Sequence, residues 1–534
     1  MNLRFSLSRF ATFFICMAVA LVSVALVPRS HWFALPALLA SGFVLLGLRD
    51  LAQERHSVLR NYPIIGHIRW LVELIRPEIR QYLLEADEEA VPFSRSQRSL
   101  VYRRAKGIAG EHAFGTLLDV YRDGYELIGH SMQPAKHVDA TSFRITIGGP
   151  QCDRPYSASV LNISAMSFGA LSANAIRALN KGAKIGGFSH DTGEGSISPY
   201  HREHGGDIVW QIGSGYFGCR DEHGNFSPDR FAAQATSDQV KMIEIKLSQG
   251  AKPGHGGILP AAKVTPEISE TRGVPVGQDC VSPSAHTAFS TPLEMMAFVA
   301  QLRALSGGKP IGFKLCLGHP WEFMGVVKAM LATGIYVDFI VVDGAEGGTG
   351  AAPVEFSDHM GMPMREGLLL VHNTLTGAGI RDRIKIGVAG RVVSAFDLAS
   401  LFAIGADWAN AARGFMFAIG CIQSLSCNTN HCPTGIATQD PLRQRALVVP
   451  DKAERVARFH ANTLHALGEM LAAAGLSHPD ELGPRHLVRR TSRSEVRQFS
   501  QIHNLVKPGT LIDGTCDHEF YRQNWEQAKA EAFN

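Results

Sequence analysis

Eight short apolar runs, separated by stretches of helical character or by loops, limit the folds open to this chain. The runs cover residues 159–166, 185–190, 208–213, 241–247, 311–316, 337–343, 384–389 and 407–412. Apolar residues recur at helical spacing between several of them, at 172–184, 292–305, 321–334 and 394–405. Alternating strands and helices indicate a parallel sheet, and eight such units predict an α/β fold of the (β/α)8, or TIM barrel, type. A doubly wound open sheet is the alternative, but no GxGxxG follows the first run.

Two apolar stretches near the N-terminus predict a transmembrane helical hairpin. Residues 10–27 carry no charge and residues 32–48 are again apolar, and each stretch is about long enough to cross a bilayer. A cleaved signal peptide is the alternative for the first stretch. Arg29 lies between the two stretches. Outside them, Arg4 and Arg9 precede the first stretch, and Arg49, Arg55 and Arg60 follow the second. The positive-inside rule then predicts an inner (cytoplasmic) membrane location, with the barrel facing the cytoplasm.

The composition of the chain narrows the classes of partner and the cellular compartment. The 534 residues carry a net charge of only +3 and no basic run with interleaved aromatics, so no nucleic-acid partner is expected. The nine cysteines form no disulfide framework, which indicates a reducing compartment. We predict a transmembrane hairpin over 1–50, a helical extension over 51–145, the barrel over 146–440 and a helical C-terminal extension over 441–534.

Three of the cysteines lie within twelve positions, as Cys421-x5-Cys427-x4-Cys432. Thiolates are the preferred ligands of iron–sulfur clusters, and three ligands suit a cluster with three irons. Spacing alone leaves two alternatives open. The cysteines could be three unrelated buried residues, or they could form a zinc site with His431 or an outside ligand, although His431 is adjacent to Cys432.

Six segments resemble, in the same order, the FMN-binding synthase domain of the glutamate synthase large subunit. They are ISAMSFGALS (163–172), DTGEGS (191–196), QIGSGYFG (211–218), EIKLSQGAKPGHGG (244–257), DGAEGGTGAAP (343–353) and GCIQSLSCNTNHCPTGIATQ (420–439). The resemblance covers roughly residues 145–440 and is closest to stand-alone, membrane-tethered bacterial members. It implies a flavin barrel that binds FMN, with a 3Fe-4S cluster held by Cys421, Cys427 and Cys432.

Candidate cofactor residues follow the predicted strands, where a barrel active site is built. Lys314 lies in an apolar strand and needs an anion, and reduced flavin is negatively charged near N1. The loops after the seventh and eighth strands often bind phosphate, which gives as candidates Gly390, Arg391, Arg413 and Gly414. Gln211 could hydrogen-bond the polar edge of the ring. The resemblance further implies that flavin is contacted by Ala165, Met166 and Ser167, with Gly347, Gly348 and Thr349 near flavin and cluster.

Candidate substrate residues are Glu194, Lys252 and Arg272. A dicarboxylate needs cations, and Arg and Lys can each hold one carboxylate. The resemblance implies that Lys252 and Arg272 bind 2-oxoglutarate and that Glu194, with Lys314, is catalytic beside the flavin. Two departures stand out, since Ile258 replaces the family's substrate-binding glutamine and His255 replaces an acid.

We therefore predict a glutamate synthase-like enzyme that aminates 2-oxoglutarate reductively. Nothing in the chain resembles the family's glutamine-hydrolysing or pyridine-nucleotide domains, so partner proteins are expected to supply ammonia and electrons. Two alternatives stay open: a membrane-tethered flavin and iron–sulfur oxidoreductase of another amino or oxo acid, and a non-catalytic electron-relay subunit.

Overall fold

All eight apolar runs become strands of one closed parallel barrel in the computed structural model, which describes residues 9–53, 57–86, 91–108, 110, 113–136, 138–503 and 505–534. The open-sheet alternative is thereby wrong. We number the barrel strands β1 to β8: Leu161–Ile163, His190–Asp191, Ile208–Ile212, Val240–Lys246, Ile311–Leu315, Phe339–Asp343, Lys385–Ala389 and Trp408–Ala411. Each strand pairs in parallel with its neighbours, and β8 closes onto β1 through the register Asn410 to Asn162.

The chain divides into two compact units, residues 1–89 and 90–534. The first contains the helices Ala11–Leu26, Ala34–Ala52, Ser57–Asn61 and Gly66–Ile79, with a 3-10 turn at His31–Phe33 and a π-helical turn at Arg80–Leu84. Buried Asp50 accepts hydrogen bonds from the Ile64 N–H at 2.9 Å and pairs with His67.

Among the described residues, one helical stretch is long and apolar enough to cross a membrane, by length and composition alone. It is His31–Ala52, with a mean hydropathy of 1.7, whereas the apolar helix Ala11–Leu26 is shorter. Such a helix near an N-terminus is weak support for the predicted hairpin, which stays a prediction. Arg4 and Arg55, used in the predicted orientation, lie outside the described residues.

The N-terminal end of the barrel is closed by an antiparallel pair, Arg144–Ile147 and Tyr156–Ser159. Its apolar side chains join the barrel interior in a separate small core, which includes Ile147, Tyr156, Phe339 and Trp408. Since this end is filled by packed side chains, an opening to the interior can lie only at the other end, where the strand carboxyl termini meet.

Helices surround the barrel in the second unit. They are Arg95–Lys106, Ala173–Gly186, Pro199–Arg202, Pro228–Ala235, Pro266–Arg272, Pro292–Leu305, Pro320–Thr333, Val354–His359, Met364–Gly377, Ala395–Phe402, Arg413–Ala418, Pro441–Gln444, Val449–Ala473, Phe499–Ile502 and Glu519–Gln527. The predicted C-terminal amphipathic helix is Val449–Ala473, which packs on Ala173–Gly186. Gly182 permits this approach, because a Cβ there would lie 2.4 Å from Val456 Cγ1.

The remaining strands form two small sheets. One has three antiparallel strands, Glu126–Ile128, Leu487–Ser492 and Glu495–Gln498. The other, Ile258–Leu259 paired with Cys280–Val281, lies in the long insertion between β4 and β5. Short 3-10 turns at Ala140–Ser142, Ala261–Lys263, Arg381–Arg383 and Pro479–Glu481 complete the regular structure. The insertion forms part of the wall of a cavity at the carboxyl ends of the barrel strands.

Candidate active site

Two adjoining cavities open at the carboxyl ends of the barrel strands, as the sequence predicts for an active site. The smaller, of about 60 Å³, collects the residues proposed for phosphate and the flavin ring. Among the residues that line it are Ala165, Lys314, Gly347, Gly348, Gly390, Arg391, Arg413 and Gly414. The larger, of about 300 Å³, contains the substrate candidates and the cysteines. Ala165, Gly348 and Arg413 line both cavities, so the two form one continuous site.

The smaller cavity has the features of an anion site. Arg391 holds a left-handed backbone conformation, φ 43°, which turns the loop after β7. Arg413, at the start of the helix after β8, donates from Nη2 to the Glu346 carbonyl at 2.8 Å. Burial and the neighbouring Arg391 lower the pKa of Arg413 to about 10. Arg413 is partly buried and Arg391 is exposed, and a phosphate bound between them would relieve the repulsion of their guanidinium groups. These residues therefore fit the phosphate of FMN.

Lys314 meets carboxylates in the barrel interior. Its Nζ lies 3.6 Å from Asp343 Oδ2. Burial alone would lower the pKa of Lys314, but Asp343, Glu244 and Asp191 together raise it. Burial raises the pKa of Asp191 and of Glu244, and the proximity of the two carboxyl groups adds to the rise at Asp191. The acids therefore favour the cationic form of Lys314, and burial favours the protonated form of the acid pair.

Sequence reasoning missed these three acids. Glu244 lies between Ile243 and Ile245 in an apolar strand, so the argument that selected Lys314 would have selected it too. Gln211, proposed to hydrogen-bond the flavin, donates instead from Nε2 to Glu244 Oε1 at 2.6 Å. It is 2% exposed and is not among the residues that line the two cavities.

The larger cavity brings the other sequence-selected residues together. Those that line it are Met166, Ser167, Glu194, Lys252, Arg272, Thr349, Cys421, Cys427 and Cys432. Ile258, the position of the missing glutamine, also lines it and is 41% exposed. Its side chain gives the cavity an apolar surface close to the cationic residues.

Glu194 is held as an anion at one end of this cavity. Lys246, which sequence reasoning did not select, places Nζ 2.9 Å from Glu194 Oε1. Burial would raise the pKa of Glu194, but Lys246, Arg272 and Lys252 lower it to about 2. Gly213 and Gly257 leave the space for the carboxylate, since a Cβ at Gly257 would lie 2.2 Å from Oε1. Glu194 is thus an ionised carboxylate near neutral pH and not a proton donor.

Lys252 and Arg272 are buried cations. Lys252 Nζ donates to the Ala351 carbonyl at 3.0 Å, and burial lowers its pKa. Arg272 Nη2 donates to the Phe168 carbonyl at 2.8 Å, and the guanidinium carbon lies 5.3 Å from the centre of the Phe217 ring. None of the residues that the structure describes accepts a hydrogen bond from its buried Nε. An orphaned buried donor is costly, and a carboxylate ligand would satisfy it.

The three cysteines also line the larger cavity, all as free thiols. Burial raises the pKa of Cys421 to about 12 and also raises that of Cys427, whereas hydrogen bonds from Thr434 and backbone N–H groups lower that of Cys432. Among the residues that the structure describes, no three His, Cys, Asp or Glu side chains converge on a single metal ion, and His431 is exposed. Both findings count against the zinc alternative.

The chemistry of this donor set fits a multi-iron cluster. The ligands of such a cluster each bind a different iron, so they need not converge on one point. The segment that carries them is sharply turned, because Gln423, Leu425 and Asn430 all have positive φ. Cys421, Cys427 and Cys432 are the residues that could hold a cluster, beside the loop that contains Ala165 to Ser167.

Comparison with known proteins gives a consistent picture. A family model described as the conserved region in glutamate synthase matches residues 146–477. The chain is 37% identical over 505 residues to the glutamate synthase large subunit-like protein YerD of Bacillus subtilis (strain 168), which covers 87% of this chain and 96% of that protein. It is 35% identical over 328 residues to the archaeal-type glutamate synthase [NADPH] of Thermotoga neapolitana, and the match covers 61% of each chain.

Proposed function

Because this chain belongs to the glutamate synthase family, we propose that it is an oxidoreductase that forms glutamate from 2-oxoglutarate, ammonia and two electrons. The overall reaction consumes the oxo acid, ammonia, two electrons and two protons, and it releases the amino acid and water. FMN, when bound, supplies hydride-transfer chemistry, and an iron–sulfur cluster supplies single electrons. The family implies a separate electron donor, since such electrons must come from a partner.

The observation that carries this proposal is the charge around Glu194. Three cations, Lys246, Lys252 and Arg272, act on one carboxylate, which leaves an excess of two positive charges in a largely buried site. Cations in a water-poor cleft attract anions far more strongly than they do in bulk water. A dicarboxylate is the ligand that this excess matches. Arg272 would grip one carboxylate through its unsatisfied Nε, and Lys252 would hold the other.

Glu194 then has an electrostatic role. A 2-oxo acid that condenses with ammonia carries positive charge on nitrogen as the protonated imine. An ionised carboxylate nearby stabilises that charge, which a protonated acid could not do. Lys246 keeps Glu194 ionised by its 2.9 Å ion pair. Lys314 lines the smaller cavity, where it would stabilise negative charge that develops during the reaction.

The residues of the smaller cavity support FMN as the cofactor. Gly347, Gly348, Gly390 and Gly414 allow close backbone approach, while Arg391 and Arg413 supply the charge for a phosphate. The cysteines that line the larger cavity would hold the 3Fe-4S cluster. For location we propose the inner membrane with the barrel on the cytoplasmic side, supported by the apolar stretch His31–Ala52.

A second candidate is reduction of a different oxo acid. Ile258 presents apolar surface where the family has a glutamine, and an apolar wall favours a substrate with a hydrocarbon side chain. This candidate keeps Arg272 and Lys252 in use but needs only one substrate carboxylate.

The experiment that separates these functions uses the full chain, purified in detergent. The bound flavin is reduced without air, and its reoxidation is followed with a panel of oxo acids, each with and without ammonium. We expect 2-oxoglutarate with ammonium to be fastest and to yield glutamate by mass spectrometry. A faster monocarboxylic oxo acid would establish the second candidate. If no oxo acid accelerates reoxidation, both enzyme functions are wrong and the electron-relay alternative gains.

A further inference from the structure

Lys263 is a buried lysine that the proposed reaction does not use. It ends the 3-10 turn Ala261–Lys263 in the insertion between β4 and β5, and it is 2% exposed. Its Nζ donates to three carbonyl oxygens, those of Cys427 at 2.8 Å, Ala437 at 3.0 Å and Ala170 at 3.2 Å. An ammonium has three N–H donors, so these bonds use all of them.

The three carbonyls come from two segments that line the larger cavity. Ala170 belongs to the loop after β1, three residues beyond Ser167. Cys427 and Ala437 belong to the cysteine segment, and Cys427 is one of the three thiol residues. Gln439 joins the same two segments through hydrogen bonds from Nε2 to Gly169 and Leu171, each at 2.9 Å. Lys263 therefore links the loop after β1 to the cysteine segment through the hydrogen bonds of one charged group.

The charge of Lys263 has no carboxylate to balance it. Within the described part of the chain, no Asp or Glu lies at ion-pair distance from its Nζ. Two of the other three buried site lysines differ, because Lys246 pairs with Glu194 and Lys314 with Asp343, whereas Lys252 donates to the Ala351 carbonyl. Carbonyl dipoles compensate a buried ammonium only in part, so a negative charge bound nearby would stabilise Lys263 further. The group available for that charge is a cluster bound by the cysteines as thiolates, because Lys263 lies against Cys427, whose carbonyl it contacts at 2.8 Å.

We propose that Lys263 is the counter-charge of the group bound by Cys421, Cys427 and Cys432, and that it raises the reduction potential of that group. The inference rests on the proposed function, since it needs a redox group at the cysteines. A fixed cation beside a cluster stabilises the added electron, and net charge and hydrogen bonding are among the factors that set cluster potentials. Lys263 acts through charge and position and makes no bond to iron.

Lys309 provides a matched control. It is also a buried lysine, 4% exposed, and its Nζ also donates to backbone carbonyls, those of Ala235 and Ser237, both at 2.6 Å. It precedes β5 and therefore lies at the N-terminal end of the barrel, away from the site. Lys309→Met removes a comparable charge and comparable hydrogen bonds without touching the cysteine segment.

The test is a redox titration of the purified full chain, followed by electron paramagnetic resonance of its iron centre. Lys263→Met should lower the equilibrium constant for one-electron reduction at least about tenfold, which corresponds to about 59 mV. Lys263→Arg should keep the potential close to that of the wild type. Lys309→Met should leave it unchanged, although both methionine variants lower the melting temperature. Lys263→Gln lacks the charge but keeps an amide donor, and it should show the same fall in reduction potential as Lys263→Met. It replaces Lys263→Met in the test if that variant does not fold.

The outcomes distinguish this inference from the proposed function. Loss of the iron signal in Lys263→Met and Lys263→Gln but not in Lys309→Met would also support the counter-charge role. A wild-type potential in the uncharged Lys263 variants, or an equal shift in Lys309→Met, would overturn the inference and leave the proposed function standing. Absence of iron from the wild-type protein would overturn the inference together with the cluster.

Discussion

Replacing Lys246 by methionine should leave Glu194, a carboxylate that lines the larger cavity, without its nearest cation. The pair is joined at 2.9 Å, and its side chains are only 9% and 15% exposed. Methionine keeps the bulk of the side chain and removes the charge. Glu194 then stays buried without its closest cation, which is the circumstance in which loss of one partner of an ion pair is most damaging.

The pKa of Glu194 gives the magnitude. A fall from the ordinary value of 4.5 to about 2 corresponds to about 3 kcal/mol, at about 1.36 kcal/mol per pKa unit. Burial opposes this fall, and Lys246 is the largest of the three cationic contributions that cause it. We therefore expect Lys246→Met to lower the free energy of unfolding by about 3–5 kcal/mol at pH 7. We expect Glu194→Gln in the same background to recover about 3 kcal/mol of that loss.

The pH dependence follows from the direction of the shift. The folded pKa of Glu194 is below its unfolded value, so its contribution to stability is complete above pH 4.5. That contribution is lost as the pH falls from about 4.5 towards about 2. In Lys246→Met, fewer cations oppose the effect of burial on Glu194. The pKa of Glu194 therefore rises, and the carboxylate is protonated more easily. The gap in stability between Lys246→Met and the wild type should accordingly narrow on acidification.

The assay is a double-mutant cycle of Lys246→Met and Glu194→Gln. Urea unfolding at pH 7 is followed by the fluorescence of Trp210 and Trp408, both buried in barrel strands. Lys241→Met with Asp207→Asn is the comparison cycle at a partly exposed surface pair, whose side chains are 35% and 32% exposed. Their charged atoms are 3.8 Å apart, and the coupling should stay below about 1 kcal/mol. A coupling between Lys246 and Glu194 no larger than that of the surface pair would refute the reasoning.

Three further predictions concern substrate, cofactor and location. Ile258→Gln should tighten 2-oxoglutarate binding roughly ten- to a hundredfold, measured by the change in flavin absorbance. Arg272→Ala should abolish the absorbance response to carboxylates. Unaltered carboxylate binding in Arg272→Ala would show that the proposed substrate site is wrong. Gly348→Ala places a Cβ 2.9 Å from Arg413 Nε and should weaken FMN binding about tenfold by fluorescence titration, unlike Gly350→Ala, whose Cβ meets open space. A C-terminal reporter enzyme should be active in the cytoplasm, and activity only outside it would contradict the proposed orientation.

Much of the architecture could be read from the sequence. The eight apolar runs determine eight strands, because a parallel strand buried on both faces needs continuous apolar residues. The closed barrel then fixes where chemistry can occur, since the carboxyl ends of parallel strands meet at one end. That is why Arg391 and Arg413, 22 positions apart, could be assigned in advance to one anion site, and the structure places both in the smaller cavity.

Which buried charges meet was decided only by the tertiary structure. Strand register sets these partners: Gln211 lies opposite Glu244, and Lys246 opposite Lys314. Gln211 therefore donates to the buried Glu244, whereas Lys246 pairs with Glu194 and Lys314 with Asp343. Apolar periodicity specifies that a segment is a strand and which face is buried, but it does not specify the stagger between strands. The contact of Lys263 with Cys427, 164 residues away, depends on loops, whose paths have no periodic signal.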